Sequence, residues 1–417
     1  TVPLVTTAVD AAPTVTTGLD RPVPERVAAL LSCLPLDPAG WSRSQPLPAM
    51  GGAPQLPDAA LTAAGGTAVA VGMDPDRNVE AYWSRDGVEW TPAESFPEAK
   101  VVGESPPAVA GGPNGFVAVV VPDAYPGVAP LDHPDTRPIV AFSEDGITWD
   151  RLDPETLPAH GVLWLSDVYA GPAGFLITGA ITTDRIDAGI GAFVWASPDG
   201  RTWSVADYPV ESWPYPAVVA TDTGWAAHTL TGTYIKPTEI WRSTDGVNWY
   251  EAATQNAPPD RVMAAEFRAS PTAVAGSTWV IAPSLQDARE PTVWTSTDDG
   301  ATWNAYPIGG DQAAEPAFAE ERMGTLAPDH ATWDIAATPL GLLLTGRYDF
   351  GEDHANLLHY STDGTDWQLC ATPRTSPGEI SATAADFTEI VMLGDILILL
   401  DAETGGFYTW NDTNTRP

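Results

Sequence analysis

Apolar and polar positions alternate along most of the chain in short stretches, and Gly, Asp, Asn and Pro clusters separate those stretches. That pattern predicts half-buried β-strands joined by tight turns. Small Ala- and Val-rich segments (PAVAG at 107–111, VYAG at 168–171, AVVA at 217–220) are each followed by a turn containing Gly. A more apolar run often comes next, such as GFVAVVV, GFLITGA or GLLLTG. We read each such pair as an inner strand and its antiparallel neighbour, the inner one small because it crowds an axis.

A seven- or eight-residue motif then recurs six times: SRDGVEW from Ser84, SEDGITW from Ser143, SPDGRTW from Ser197, STDGVNW from Ser243, STDDGATW from Ser296 and STDGTDW from Ser361. Its Asp-Gly core predicts a hairpin turn, because Gly tolerates positive φ and Asp bonds its own backbone. An aromatic or apolar strand leads into each copy, and the Trp is expected to begin the returning strand. Trp195, Trp241 and Trp294, with Tyr82 and His359, share the position two residues before the motif Ser. Core packing is expected for them and for the motif tryptophans.

The motif resembles the Asp-box, or BNR repeat, whose pattern is S-x-D-x-G-x-T-W. Ser296, Asp298, Gly300, Thr302 and Trp303 match it in full, and the other five copies are one residue shorter between Ser and Trp. The resemblance runs from about Ala59 to Trp410 and implies a β-propeller with one box between the third and outermost strands of each blade. It implies no particular activity, since such boxes occur in sialidases, xyloglucan hydrolases, sortilin-type receptors and photosystem assembly factors.

Six boxes make six blades, and the chain ends complete a seventh. Segments 386–392, 396–400 and 406–410 read as three strands without a fourth, while Trp41-Ser42-Arg43 resembles the segment just after a box and has no box of its own. The expected fold is therefore all-β: a seven-bladed β-propeller of four-stranded antiparallel blades over 37–417, in which an N-terminal outer strand completes the C-terminal blade. Residues 1–36, rich in Thr, Val and Pro, are expected to form an extended arm or tether, packed on the propeller or adding a strand to a neighbouring subunit. Cys33 and Cys370 would lie on neighbouring edges of that ring, and a disulfide between them is expected.

Charge narrows the range of partners. With 55 acidic and 19 basic residues the formal net charge is −36, which repels nucleic acid and anionic membranes. No apolar run is long enough to span a membrane, and residues 1 onward lack the outline of a signal peptide. Leu30-Leu31-Ser32-Cys33 has the outline of a lipoprotein cleavage site with too short an apolar run before it. The composition fits a secreted, extracellular or cell-surface protein, and two cysteines exclude a multi-thiolate zinc site.

In a four-stranded meander the boxes share one face, and the long second loops and crossovers share the other, where binding residues are expected. There the sequence places Asp132, His133 and Asp135, then Tyr348, Asp349, Asp353 and His354, with Trp164, Trp213, Tyr215 and Trp333 on crossovers. A glycan would stack on Trp213, Tyr215, Trp333 or Tyr348, and a basic protein would meet the carboxylates. A sialidase-like or other glycoside hydrolase is the alternative, since Arg77, Arg137, Arg185, Arg289 and Arg347 occupy equivalent loops. The Arg-Ile-Pro signature of sialidases is missing, Arg137-Pro138-Ile139 being the nearest string, and only Arg268 falls on an expected inner strand. Calcium is the candidate metal: Asp74-Pro75-Asp76-Arg77-Asn78 begins like an EF-hand loop, but Val79 replaces its Gly and Arg85 its bidentate Glu. No HExxH, GxSxG or Gly-rich nucleotide motif is present. The functional expectation is a secreted, non-catalytic binding or assembly module for a glycan, peptide or protein ligand, without a required cofactor and with the N-terminal arm as a route to self-assembly.

Overall fold

The computed structural model describes residues 16–17, 21–22, 41–44, 47, 59–74, 76–101, 107–121, 138–158, 162–182, 190–208, 217–229, 239–258, 271–282, 285–286, 292–308, 329–338, 341–350, 353–370, 387–401 and 406–411. The described elements are strands apart from one 3-10 turn at Pro154–Thr156. No described helix is long and apolar enough to cross a membrane.

Seven antiparallel sheets follow one another as propeller blades. The first is Ala59–Ala64, Thr67–Met73, Val79–Ser84 and Thr91–Pro92; the second is Ala108–Gly112, Gly115–Val120, Ile139–Ser143 and Asp150–Arg151. The third is Val162–Gly171, Gly174–Thr182, Ile190–Ser197 and Ser204–Val205; the fourth is Ala217–Thr221, Gly224–Thr229, Glu239–Ser243 and Tyr250–Glu251. The fifth is Thr272–Ala275, Thr278–Ile281, Thr292–Ser296 and Asn304–Pro307. The sixth is Asp329–Thr338, Gly341–Phe350, Asp353–Ser361 and Gln368–Cys370. The seventh combines Phe387–Leu393, Ile396–Asp401 and Gly406–Asn411 with Trp41–Arg43, Trp41 lying opposite Trp410 and Arg43 opposite Tyr408. Outside the ring, Thr16–Thr17 pairs with Arg21–Pro22. The remainder of the expected arm, including Cys33, lies outside the described residues.

The core lies between blades. Seven clusters of buried side chains each join consecutive sheets, and one of them joins the last to the first through Leu61, Tyr82, Ile398 and Phe407. Each box Trp packs into the interface with the preceding blade; Trp90, for example, stacks on Phe407 at 4.2 Å between ring centroids. Tyr82, Trp195 and His359 are buried and Trp241 and Trp294 partly so, as their shared strand position predicts. The box Trp does not begin the fourth strand, however, but precedes it by one residue, because its ring turns back over the hairpin.

Polar contacts supplement this packing. The segments leaving the outer strands run alongside the next box: Glu94 N–H donates to the Ile147 carbonyl at 2.7 Å, and Gln255 N–H to that of Ala301 at 2.8 Å. Nearer the axis, the Thr62 hydroxyl accepts from Gly111 N–H at 2.8 Å, and His228 Nε2 lies 2.7 Å from Thr272 Oγ1.

Two blades depart from the rest. Inner strands of the third and sixth blades have ten residues each, against four to seven in the others. Their second and third strands lengthen too. The Gly turns and boxes remain aligned with those of the other blades, so the added residues, roughly 10–15 Å of strand, rise on the face opposite the boxes.

Candidate functional site

The boxes carry most of the polar motif residues. In all six, the Ser hydroxyl oxygen accepts a 2.8 Å bond from the box Gly N–H. The Trp indole N–H donates to that Gly's carbonyl at 2.8–3.2 Å. Asp Oδ1 accepts from backbone N–H groups just beyond it; Asp86 takes those of Val88 and Glu89, both at 2.9 Å. At Asp298 the Thr302 hydroxyl, the Thr302 N–H and the Ser296 hydroxyl hold the carboxyl at a pKa of about 2. At Asp245 burial pushes upward, but the Asn248 N–H and side chain, the Val247 N–H and the Ser243 hydroxyl outweigh it and leave a pKa of about 2. A carboxylate so engaged and so acidic is poorly suited to general acid or base chemistry near neutral pH.

Each box Gly has φ between +72° and +79°, and most approach the preceding blade closely. A Cβ on Gly200 would stand 2.5 Å from Phe142 Cδ2. The same ring carries Arg201 4.2 Å above its centroid, and that guanidinium also reaches Asp150 at 3.5 Å and Glu144 at 3.6 Å. The box face is therefore an inter-blade joint.

On the opposite face the sixth blade gathers four of the sequence-predicted residues on one raised hairpin. Asp329, Asp349 and His354 form one register row across its first three strands, and His330, Tyr348 and Ala355 form the next. Asp353 pairs with Phe350 at the tip. A short strand from the fifth blade, Leu285–Gln286, adds to the inner edge, with Gln286 opposite His330 and Leu285 opposite Ala331. The sheet of this blade thus has five strands.

This corrects the loop reading of 347–354: among the described residues 347–350 and 353–354 belong to strands, and Arg347, Tyr348 and Asp349 are paired on both sides, so their polarity marks a raised sheet. Trp164 and Trp333 are likewise not on crossovers but in inner strands, which begin earlier than the shorter ones elsewhere. Trp333 sits at a bulge between the Thr332 and Asp334 pairings. Just after it, Asp334 Oδ1 accepts from Ile335 N–H at 2.7 Å and Oδ2 from Ile390 N–H of the seventh blade at 2.8 Å.

Asp132, His133, Asp135, Trp213 and Tyr215 lie outside the described residues, as do Arg137, Arg185, Arg268 and Arg289. Cys370 is on the outer strand of the sixth blade. In the EF-hand-like string, the two carboxylate oxygens of Asp74 accept from the N–H and side-chain amide of Asn78, each at 2.8 Å, closing a tight turn with Arg77 at φ +65°. Among the described residues no three His, Cys, Asp or Glu side chains come together as metal ligands. Sequence reasoning missed Asp329, His330 and Asn356; the polar alternation of DHATW and DHANL was the available signal.

No protein-family model matches the chain, and no curated protein does. Among solved structures, a mutant of Aleuria aurantia lectin in complex with alpha-methyl-L-fucoside aligns at 15% identity and TM-score 0.41, over 76% of this chain and 95% of the lectin. Trypanosoma rangeli sialidase in complex with sialic acid aligns at 12% identity and TM-score 0.45, over 87% of this chain and 68% of the sialidase. The same sialidase with 2,3-difluorosialic acid gives 14% identity and TM-score 0.44, over 81% of this chain and 58% of that one.

Proposed function

We propose that the protein is a secreted, non-catalytic glycan-binding module of the Asp-box type that uses the face opposite its boxes. The observation that carries this reading is the raised sixth blade, where aspartate, histidine, arginine, tyrosine and asparagine occupy consecutive register rows on the face opposite the boxes. The box residues are occupied in turn and joint formation, so binding chemistry falls to the other face. Hydroxyl-rich ligands suit such a set of residue types, because carboxylates accept, guanidinium donates and imidazole does either. As part of the same proposal, Trp41–Arg43 clasps the ring shut and a Cys33–Cys370 disulfide locks the clasp.

The test is a glycan array probed with the full chain, read beside product analysis of the same glycans. Retention of a glycan without release of sugar supports the proposal. Hydrolysis abolished by Asp349→Asn would replace it with the glycosidase reading, and retention of no glycan would overturn it.

A further inference from the structure

We propose that Arg242 and Tyr250, at the joint of the fourth and fifth blades, bind one carboxylate of a partner protein, presented there among apolar neighbours. The site is separate from the sixth blade and stands whether or not the chain binds a glycan.

At two blade joints among the described residues, a guanidinium lies against an aromatic ring of the neighbouring blade. Between the second and third blades, Arg201 lies 4.2 Å above the Phe142 ring and also reaches Asp150 at 3.5 Å and Glu144 at 3.6 Å. Between the fourth and fifth, the partly buried Arg242 lies 4.7 Å from the centroid of Trp279, a ring only 3% exposed. The boxes match the two joints position by position. Arg242 precedes Ser243 as Phe142 precedes Ser143, Thr244 follows Ser243 as Glu144 follows Ser143, and Tyr250 follows Trp249 as Asp150 follows Trp149. Register agrees, since Tyr250 lies opposite Arg242 and Asp150 opposite Phe142. The first joint thus brings two carboxylates of its own to its cation. The second has Thr244 and Tyr250 in their places, and among the described residues the Arg242 guanidinium has no ion pair and no hydrogen bond.

Box carboxylates close in sequence are engaged elsewhere. Asp245 takes the Val247 and Asn248 N–H groups, the Asn248 side chain and the Ser243 hydroxyl. Asp298 takes Thr302 and the Ser296 hydroxyl. A guanidinium stacked on one face keeps its in-plane donors, in the fork that grips a carboxylate with two parallel bonds. Directly opposed residues stand about 4.5–5.5 Å apart at Cβ, which sets Tyr250 beside that fork. At 55% exposure it offers a hydroxyl donor and an open ring to the same ligand.

The surroundings narrow the ligand. With a net charge of −36 the chain repels polyanions at long range, so one carboxylate among uncharged neighbours suits it best. Small molecules are held in concave sites that bury most of their surface. A joint whose tyrosine is so exposed suits instead an acidic side chain that a partner protein presents together with apolar contacts.

The experiment titrates the full chain, by ligand-observed nuclear magnetic resonance, with a blocked five-residue peptide that has one glutamate between leucines. Its glutamine counterpart, hexanoate and methyl glucuronide are titrated alongside. The glutamate peptide is expected to bind about tenfold or more tighter than the other three, the worth of a charge-assisted pair. Arg242→Gln is expected to bring it down to the level of the glutamine peptide. Tyr250→Asp restores the layout around Arg201 and should do the same by giving Arg242 an internal carboxylate, whereas Val205→Ala on the third blade leaves binding unchanged. Thermal melts establish that each variant is folded, and Tyr250→Asp, which keeps the stack on Trp279, carries the test should Arg242→Gln melt early. Equal binding of the two peptides, absence of saturable binding by the glutamate peptide, or binding that survives the substitutions at 242 and 250 overturns the proposal. Tighter binding of hexanoate or of the glucuronide overturns it in favour of a free acid or an acidic sugar.

Discussion

At a single box, the Ser hydroxyl, the Asp carboxylate and the Trp ring act at different depths, and their removal should have different effects. Trp303 is 1% exposed and fills the interface between the fourth and fifth blades. Trp303→Ala should cost about 3–5 kcal/mol. Ser296→Ala leaves Gly300 N–H without its buried acceptor and should cost about 1–3 kcal/mol. Urea unfolding of the three proteins checks the order, which fails if Ser296→Ala is the more damaging. The Asp298 carboxyl adds a pH signature. Its folded pKa, about 2, lies below the ordinary value of 3.8, so its contribution is present above about pH 4 and is lost as pH falls toward 2. Asp298→Asn should therefore flatten the loss of thermal stability between pH 4 and pH 2; an unchanged slope in melts across that range would remove the carboxylate from the account.

Inner strands crowd the axis, and where one bulges its backbone needs other partners. The third, sixth and seventh blades each bulge near Ser166, Trp333 and Thr388, and in each an acidic residue comes next: Asp167, Asp334 or Glu389. Asp334 shows the reason, since its two oxygens bond one N–H of its own strand and one of the next blade. Asp334→Ala should raise hydrogen exchange at the Ile390 amide and destabilise the protein by about 1–3 kcal/mol, leaving amides of the second blade unaffected. Equal protection at Ile390 in both proteins would show the bond to be dispensable. The bulge also marks where the sixth blade passes from packed ring to raised hairpin, so one irregularity serves both the inter-blade link and the candidate site.

A ring of seven sheets carrying a net charge of −36 repels itself. Charges farther apart than the Debye length, about 10 Å at 0.1 M salt, are largely screened, so the melting temperature should rise as sodium chloride increases from 10 mM to 500 mM. A flat or falling melting temperature would mean that the repulsion is already neutralised by bound cations. Ring closure offers a second whole-molecule test. Trp41–Arg43 is distant in sequence from Gly406–Asn411, with which it pairs. A disulfide joining Cys33 to Cys370 would constrain so long a loop by on the order of 5 kcal/mol in the chain-entropy picture. Non-reducing peptide mapping should recover the two cysteines as one linked pair that is lost on reduction; two free thiols would end the proposal.

The amino-acid sequence by itself determined the repeating part of this protein. Box turns depend on contacts among residues two to four apart, from Ser to Gly, from Asp to the two N–H groups beyond it and from Trp to Gly, so six copies are legible without any partner. Blade number comes from those copies and from two incomplete ends, and the burial of Tyr82, Trp195 and His359 from period-two alternation. Tertiary structure alone decided the lengths of the third and sixth blades, their bulges and the fifth strand at Leu285–Gln286. A raised sheet has little apolar alternation to reveal it, and 347–354 therefore read as a loop until pairing with 329–331 and 353–356 made it strand. Which polar residues share a row depends on register, and a bulge shifts register by one residue. Tyr348, Asp349, Asp353 and His354 could thus be named from sequence, but their alignment with Asp329 and His330 required the neighbouring strands that set it.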